Sequence, residues 1–85
     1  MIDYRLQAEQ ILELVGGKEN VISLTHCFTR LRFVLKDFEA AKTEELKNLE
    51  GVRGILKRTG SYQIVIGMTV SSYYKELEKL CQNMG

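Results

Sequence analysis

Between Val21 and Leu35 two strand-like runs stand so close in the chain that they must fold against each other. Val21-Ile22-Ser23-Leu24-Thr25-His26 is rich in β-formers, and Leu31-Arg32-Phe33-Val34-Leu35 sends Leu31, Phe33 and Leu35 to one face. A reversal at Phe28-Thr29 sets Leu24 opposite Phe33 and Ile22 opposite Leu35, all on a face that can be buried. The same register sets Cys27 opposite Arg30 and Thr25 opposite Arg32 on the other face. A slip of one residue would oppose apolar to polar side chains, so the pattern selects this pairing. Phe28-Thr29 lacks the glycine or asparagine of a good two-residue turn, which predicts a wider or bulged tip.

The rest of the chain supplies what that hairpin packs against. Asp3 is a candidate N-cap for a helix running to Val15, with Leu6, Ile11, Leu14 and Val15 on an apolar stripe. Gly16-Gly17 predicts a left-handed stop. Lys36 and Asp37 close the second strand. Thr43 to Leu49 predicts a short helix with Leu46 and Leu49 inward, ending near Gly51. Val52 to Lys57 and Tyr62 to Ile66 predict two more strands around the turn Thr59-Gly60-Ser61, and Gly67 ends the second of them. Thr69 is a candidate cap for a last helix, in which Val70, Tyr74, Leu77 and Cys81 recur at helical spacing. The order α-β-β-α-β-β-α predicts an α+β fold: a four-stranded antiparallel sheet built from two hairpins, with three helices on one face.

A length of 85 residues suits one domain spanning 1–85, with one thin core. The formal net charge of +1 gives no reason to expect nucleic acid or an anionic membrane as a partner, so any basic site has to be local. No apolar run approaches bilayer length and no signal segment opens the chain, so the isolated chain is expected to be soluble and cytoplasmic. Two cysteines and one histidine cannot close a zinc site of the usual kind, and no metal or cofactor is expected. Cys81, on an apolar helical stripe, reads as a core residue.

Cys27 reads differently. A thiol at a hairpin tip is exposed, and neighbouring guanidinium groups favour its thiolate, the nucleophilic form. A phosphoryl group on that sulfur would need donors. Arg30 and Arg32 offer bidentate hydrogen bonds, and Phe28 and Thr29 lie where loop amides and a hydroxyl can add more. Phosphoryl transfer depends mainly on in-line positioning and charge stabilisation, which this loop can supply without a metal. His26 is a candidate base, but adjacent strand residues point to opposite faces, so a supporting role behind the loop is at least as well founded. Tyr62 and Gln63 join the site only if the fourth strand neighbours the hairpin, which the pattern leaves open.

Gly16-Gly17-Lys18-Glu19-Asn20-Val21, Thr25-His26-Cys27-Phe28-Thr29-Arg30-Leu31-Arg32 and Gln63-Ile64-Val65-Ile66-Gly67 together resemble the enzyme IIB domains of the glucose/β-glucoside/sucrose branch of the bacterial sugar phosphotransferase system. The resemblance runs from about Ile2 to Leu80; it departs at Phe28, where the family often has a small or aliphatic residue. It implies a phosphohistidine–sugar phosphotransferase component. Cys27 would accept phosphate from a phosphohistidine on a IIA domain and donate it to a sugar held by a IIC membrane domain, with Arg30 and Arg32 stabilising the transferring group. It also implies a position at the inner face of the cell membrane within a larger transporter. The isolated domain is expected to be monomeric. A methionine followed at once by the domain suits transporters in which IIB precedes IIC, of the β-glucoside, sucrose, trehalose or N-acetylmuramic acid type.

Other readings compete. A regulatory or interaction module of the same fold would keep the architecture without the relay. A cysteine-dependent phosphatase would need Cys-x5-Arg in a loop leading into a helix, whereas Cys27 to Arg32 is Cys-x4-Arg and the arginine lies on a strand. A thiol redox protein would need a resolving cysteine near Cys27.

Overall fold

A computed structural model describes residues 3–82; Met1, Ile2 and residues 83–85, which fall within the expected domain span, lie outside the described residues. The elements are α1 (Tyr4–Leu14), β1 (Val21–His26), β2 (Arg30–Leu35), α2 (Thr43–Lys47), β3 (Gly54–Arg58), β4 (Ser61–Val65) and α3 (Val70–Gln82). Two short 3₁₀ turns, Lys18–Asn20 and Phe38–Ala40, were not signalled by the hydrophobic pattern. The α+β order is the expected one, and the sheet is four-stranded and antiparallel throughout.

Asp3 caps α1: its carboxylate accepts from the amides of Arg5 and Leu6 at 3.0 and 3.1 Å. The helix stops in a Schellman arrangement. The Gly17 amide reaches back to the Leu12 carbonyl and the Gly16 amide to that of Glu13, with both glycines at positive φ. The buried face of α1 is Ala8, Ile11, Leu12 and Val15, while Leu14 packs at its margin. Leu6, expected on that stripe, is instead 51% exposed. At about 100° per residue Leu6 falls on the side of the helix away from Ala8, Ile11 and Val15, and it is Tyr4 that packs against the core from the first turn.

The strand order is β1-β2-β4-β3, so the chain leaves β2, crosses through α2 to the far edge and returns as β4 beside β2. The first hairpin pairs as expected at Leu24 with Phe33 and Thr25 with Arg32. Its base does not. A β-bulge between Val21 and Ser23 puts Val21 opposite Leu35 and leaves Ile22 60% exposed. Ile22 was expected to face the core opposite Leu35. One extra residue in β1 reverses the parity of everything before it, so Val21 takes the inward position. The later strands are each displaced slightly from expectation: β3 starts at Gly54, not Val52, and β4 runs from Ser61 to Val65, not Tyr62 to Ile66. Helix α2 ends at Lys47, with Leu46 buried and Leu49 packed against the core beyond the helix.

One core fills the space between sheet and helices. Leu31, Phe33, Tyr62 and Ile64 from the sheet meet Ile11, Val15, Leu46, Tyr73 and Leu77 from the helices, all fully buried. On α3 the innermost aromatic residue is Tyr73; Tyr74, expected on the stripe, is only half-buried. Val70, Tyr73 and Leu77 follow the i, i+3, i+7 spacing, and Tyr74 lies just to one side. Cys81 packs at the core margin, where burial raises its thiol pKa against a smaller opposing effect from Lys18.

The base of the first hairpin is tied by Asn20, a buried polar residue. Its Nδ2 donates to the carbonyls of Val15 and Asp37 at 2.8 and 2.9 Å, and its Oδ1 accepts from the Asp37 amide at 2.9 Å. One side chain thus joins the end of α1 to the end of β2. Gly16 is what lets it fit, because a Cβ there would lie 2.7 Å from Asn20 Nδ2. No described helix is long and apolar enough to cross a membrane.

Candidate functional site around Cys27

The open tip of the β1–β2 hairpin carries the only cluster that the sequence marks for chemistry. The two strands stay in register to its end, where the Cys27 amide donates to the Arg30 carbonyl at 3.0 Å. A closed two-residue turn would return the Arg30 amide to the Cys27 carbonyl. Here both groups are turned elsewhere. The amides of Thr29 and Arg30 both act on Cys27 Sγ. The Cys27 carbonyl lies 3.0 Å from Nδ1 of His26, and a carbonyl only accepts, so that bond needs the proton on Nδ1. The tip is thus more open than a tight turn, as the lack of glycine or asparagine predicts.

Cys27 is half-buried and free of any disulfide. Its pKa is lowered, chiefly by the Thr29 amide. Partial burial opposes this; the Arg30 amide and the charges of Arg32 and Arg30 then add to the lowering. Reading the sequence alone singles out the guanidinium groups. The geometry gives the larger share to backbone N–H groups, whose direction no residue pattern reveals. Successive amides converging on one atom form an anion-binding concavity, the kind of site a thiolate or a phosphoryl group occupies.

The arginines differ in their setting. Arg32 is exposed on the face of the sheet away from the helices. Arg30 is half-buried, and its Nη1 donates to Gln63 Oε1 at 3.2 Å. Gln63 pairs with Arg32 across β4 and β2, is only 7% exposed, and gives its Nε2 to Ser61 Oγ at 3.0 Å. It orients one of the two guanidinium groups. Tyr62 lies on the opposite face of β4, in the core, with its hydroxyl 2.6 Å from Thr43 Oγ1 and away from the thiol.

His26 points to the helix side. Its ring lies 4.4 Å from that of Tyr74 on α3, tilted by 45°, and the Tyr74 hydroxyl donates to Glu78 at 3.2 Å. The Phe28 side chain is 91% exposed, so what Phe28 brings to the tip is apolar surface. A shallow hollow of about 290 Å³ is lined by His26, Cys27 and Phe28. Across the tip, the Thr29 carbonyl accepts from the amides of both Ile66 and Gly67, at 2.8 and 2.9 Å. Met68, 88% exposed, follows directly. The Arg53 guanidinium lies against Gly67. The part played by the end of β4 escaped the sequence reading, because nothing local in the chain says that β4 lies beside β2.

The profile of the family described as phosphotransferase system, EIIB matches residues 9–41, which include Cys27, Arg30 and Arg32. The chain is 49% identical over 77 residues to the PTS system beta-glucoside-specific EIIBCA component of Halalkalibacterium halodurans. That match covers 91% of this chain and 12% of the relative. It is 46% identical over 66 residues to the PTS system sucrose-specific EIIBC component of Bacillus subtilis, covering 78% of this chain and 14% of the relative. The chain therefore spans only a small part of the length of these curated relatives. A crystal structure of one domain of the PTS system IIabc component from Clostridium difficile superposes with a TM-score of 0.86 at 36% identity, covering 91% of this chain and 81% of that one. With a near-complete match in sequence and shape to a domain of that size, the chain belongs to the EIIB family of the phosphotransferase system, in the branch of the β-glucoside and sucrose components.

Proposed function

We propose that this domain relays a phosphoryl group through Cys27, from a phosphohistidine on a IIA domain to a sugar held by a IIC membrane domain. In the first step the Cys27 thiolate attacks phosphorus in line with the P–N bond. The S–P bond forms, the P–N bond breaks, and the imidazole leaves with its electron pair. In the second step a sugar hydroxyl attacks the phosphocysteine. The O–P bond forms, the S–P bond breaks, the thiolate returns, and the hydroxyl proton passes to a base on the acceptor side or to water. The observation that carries this reading is a half-exposed thiol of lowered pKa, faced by the Thr29 and Arg30 amides and by two arginines. The amides hold the sulfur's negative charge before transfer and the phosphate's after it. Arg30 and Arg32 neutralise the equatorial oxygens. Phe28 and the hollow beside it offer apolar surface to a partner, and His26 supports the loop from behind. The fusion of EIIB to EIIC in the named relatives supports a membrane acceptor, and with it a place at the inner membrane face.

The phosphatase reading loses support from the tip's geometry, since the loop after Cys27 leads into β2 and not into a helix N-terminus. The test of the relay is a reconstituted chain of phosphoenolpyruvate, the general phosphotransferase proteins, a IIA domain and membranes holding IIC. Wild-type protein should pass label to sugar. Arg30→Ala and Arg32→Ala should remain folded yet pass it more slowly. Normal transfer in both variants would remove the arginines from the mechanism. An adduct that only hydrolyses to free phosphate would replace the relay with a phosphatase.

A further inference from the structure

The Thr29 carbonyl is held by two amides on its far side, and a planar trans peptide gives that grip a consequence for the sulfur. The carbonyl oxygen of one residue and the N–H of the next point in opposite directions across their shared bond. Holding the Thr29 oxygen toward β4 therefore turns the Arg30 N–H toward Cys27. The grip itself is firm. Ile66 and Gly67 donate at 2.8 and 2.9 Å, the Ile66 side chain is buried in the core, and the Gly67 carbonyl accepts from the Val70 amide at the start of α3. Two successive amides converge on that oxygen through the backbone torsions of Ile66; Gly67, whose φ of +111° suits glycine, then turns the chain so that its carbonyl meets α3 while its amide stays on Thr29.

We propose that Ile66 and Gly67 are positioning residues for phosphoryl transfer: by gripping the Thr29 carbonyl they hold the Arg30 amide on Cys27 Sγ and on the phosphate it carries. This rests on the reading of Cys27 as the carrier. It separates two jobs that the site divides between strands. The β1–β2 hairpin brings the thiol and the arginines, whereas β4 sets the direction of the backbone donor. The space at Gly67 makes the idea testable. An added Cβ would meet only the Arg53 guanidinium, at 3.5 and 3.8 Å, which is ordinary contact. An alanine there is resisted by backbone conformation alone, and relaxing φ turns the amide off the Thr29 oxygen.

Gly60 provides a matched control. It has a φ of +81° in the β3–β4 turn, and nothing lies within 4 Å of its would-be Cβ. Gly67→Ala and Gly60→Ala impose the same kind of strain, so both should lose stability. Only Gly67→Ala should raise the pH midpoint of Cys27 alkylation and, at a pH below that midpoint, slow phosphoryl acceptance, by up to about tenfold for each pH unit the midpoint moves. The charged and titratable groups around the loop are Arg30 and Arg32 on β2, His26 on β1, Tyr74 on α3 and Arg53 before β3; neither substitution alters any of them. A Gly67→Ala profile that coincides with that of Gly60→Ala overturns the proposal. A second measurement uses the unaltered protein. As the thiol titrates, the amide resonances of Thr29 and Arg30 should move, and those of Ile66 and Gly67 should move at the same midpoint. Ile66 and Gly67 resonances that ignore the titration also overturn it. Neither the alkylation midpoint nor the resonance titration involves phosphate, so a wild-type chain that takes no label would count against the relay and leave the grip intact.

Discussion

Replacing Asn20 with alanine should be among the most damaging single changes in the chain, and its cost can be worked from three hydrogen bonds. The side chain makes bonds of 2.8, 2.9 and 2.9 Å to two carbonyls and one amide, and it is itself 7% exposed. Each such bond contributes about 1 kcal/mol net, and a carbonyl left buried without a partner adds a further 1 kcal/mol or so. The Val15 carbonyl belongs to a fully buried residue and has few other partners to find. The expected loss is about 3–4 kcal/mol, a large share of the stability of a small domain. With a urea slope of about 1 kcal/mol per molar, the unfolding midpoint should fall by roughly 3 M. Gly16→Ala should be costly for a related reason, since its Cβ collides with the Asn20 amide at 2.7 Å. In an Asn20→Gly background that collision disappears and only backbone strain remains, whereas Asn20→Ala would keep the contact with the residue-20 Cβ at 2.9 Å. A double-mutant cycle read by urea unfolding should therefore show the Gly16→Ala penalty shrinking by about 1 kcal/mol or more. Strict additivity, or an Asn20→Ala loss below about 1 kcal/mol, would refute the account of the hairpin base.

Three further outcomes follow from the same geometry. Ile22→Thr should change stability by less than about 0.5 kcal/mol in urea unfolding, because the bulge exposes the side chain; a loss of about 1.5–3 kcal/mol would mean that Ile22 faces the core after all. Cys27 should be alkylated well before Cys81 at neutral pH, since amides lower the first thiol's pKa and burial raises the second's; peptide mapping after brief iodoacetamide treatment distinguishes them. Arg32→Ala should raise the Cys27 midpoint only modestly, and salt should erode that difference, because the largest lowering comes from the Thr29 amide and not from the charges. The sign of the linkage to folding is set by the lowered thiol. The stabilisation is fully present above the ordinary value of 9.0 and is lost as pH falls through the folded midpoint, so the difference in urea midpoint between wild type and Cys27→Ala should grow across that window.

The hairpin and its register are legible in the chain because Leu24, Leu31 and Phe33 can be buried together in only one pairing. The caps of α1 are equally plain, since Asp3 and Gly16-Gly17 act through neighbours a few residues away. Ile22 shows where such reading stops. A bulge adds one residue to a strand, and only the packing of Val21 against the core determines which of two apolar neighbours turns in. The thiol and its two arginines can be found from residue type and spacing. The amides that act on that thiol cannot, because the direction of a peptide plane does not show in residue type; that of the Arg30 N–H depends on a contact between the Thr29 carbonyl and residues more than thirty positions away. Gln63 lies between these cases: its place beside Arg30 follows at once from the β2–β4 pairing, which itself depends on how the crossover through α2 folds.

The most direct measurement is the mass and linkage of whatever phosphate this chain carries after incubation with a phosphorylated IIA domain. The relay requires a single phosphoryl group on the sulfur of Cys27, with a phosphorus resonance typical of a thiophosphate ester, and none on Cys27→Ser. Phosphate found on His26, or a wild-type chain that emerges unlabelled while its donor is spent, would contradict it.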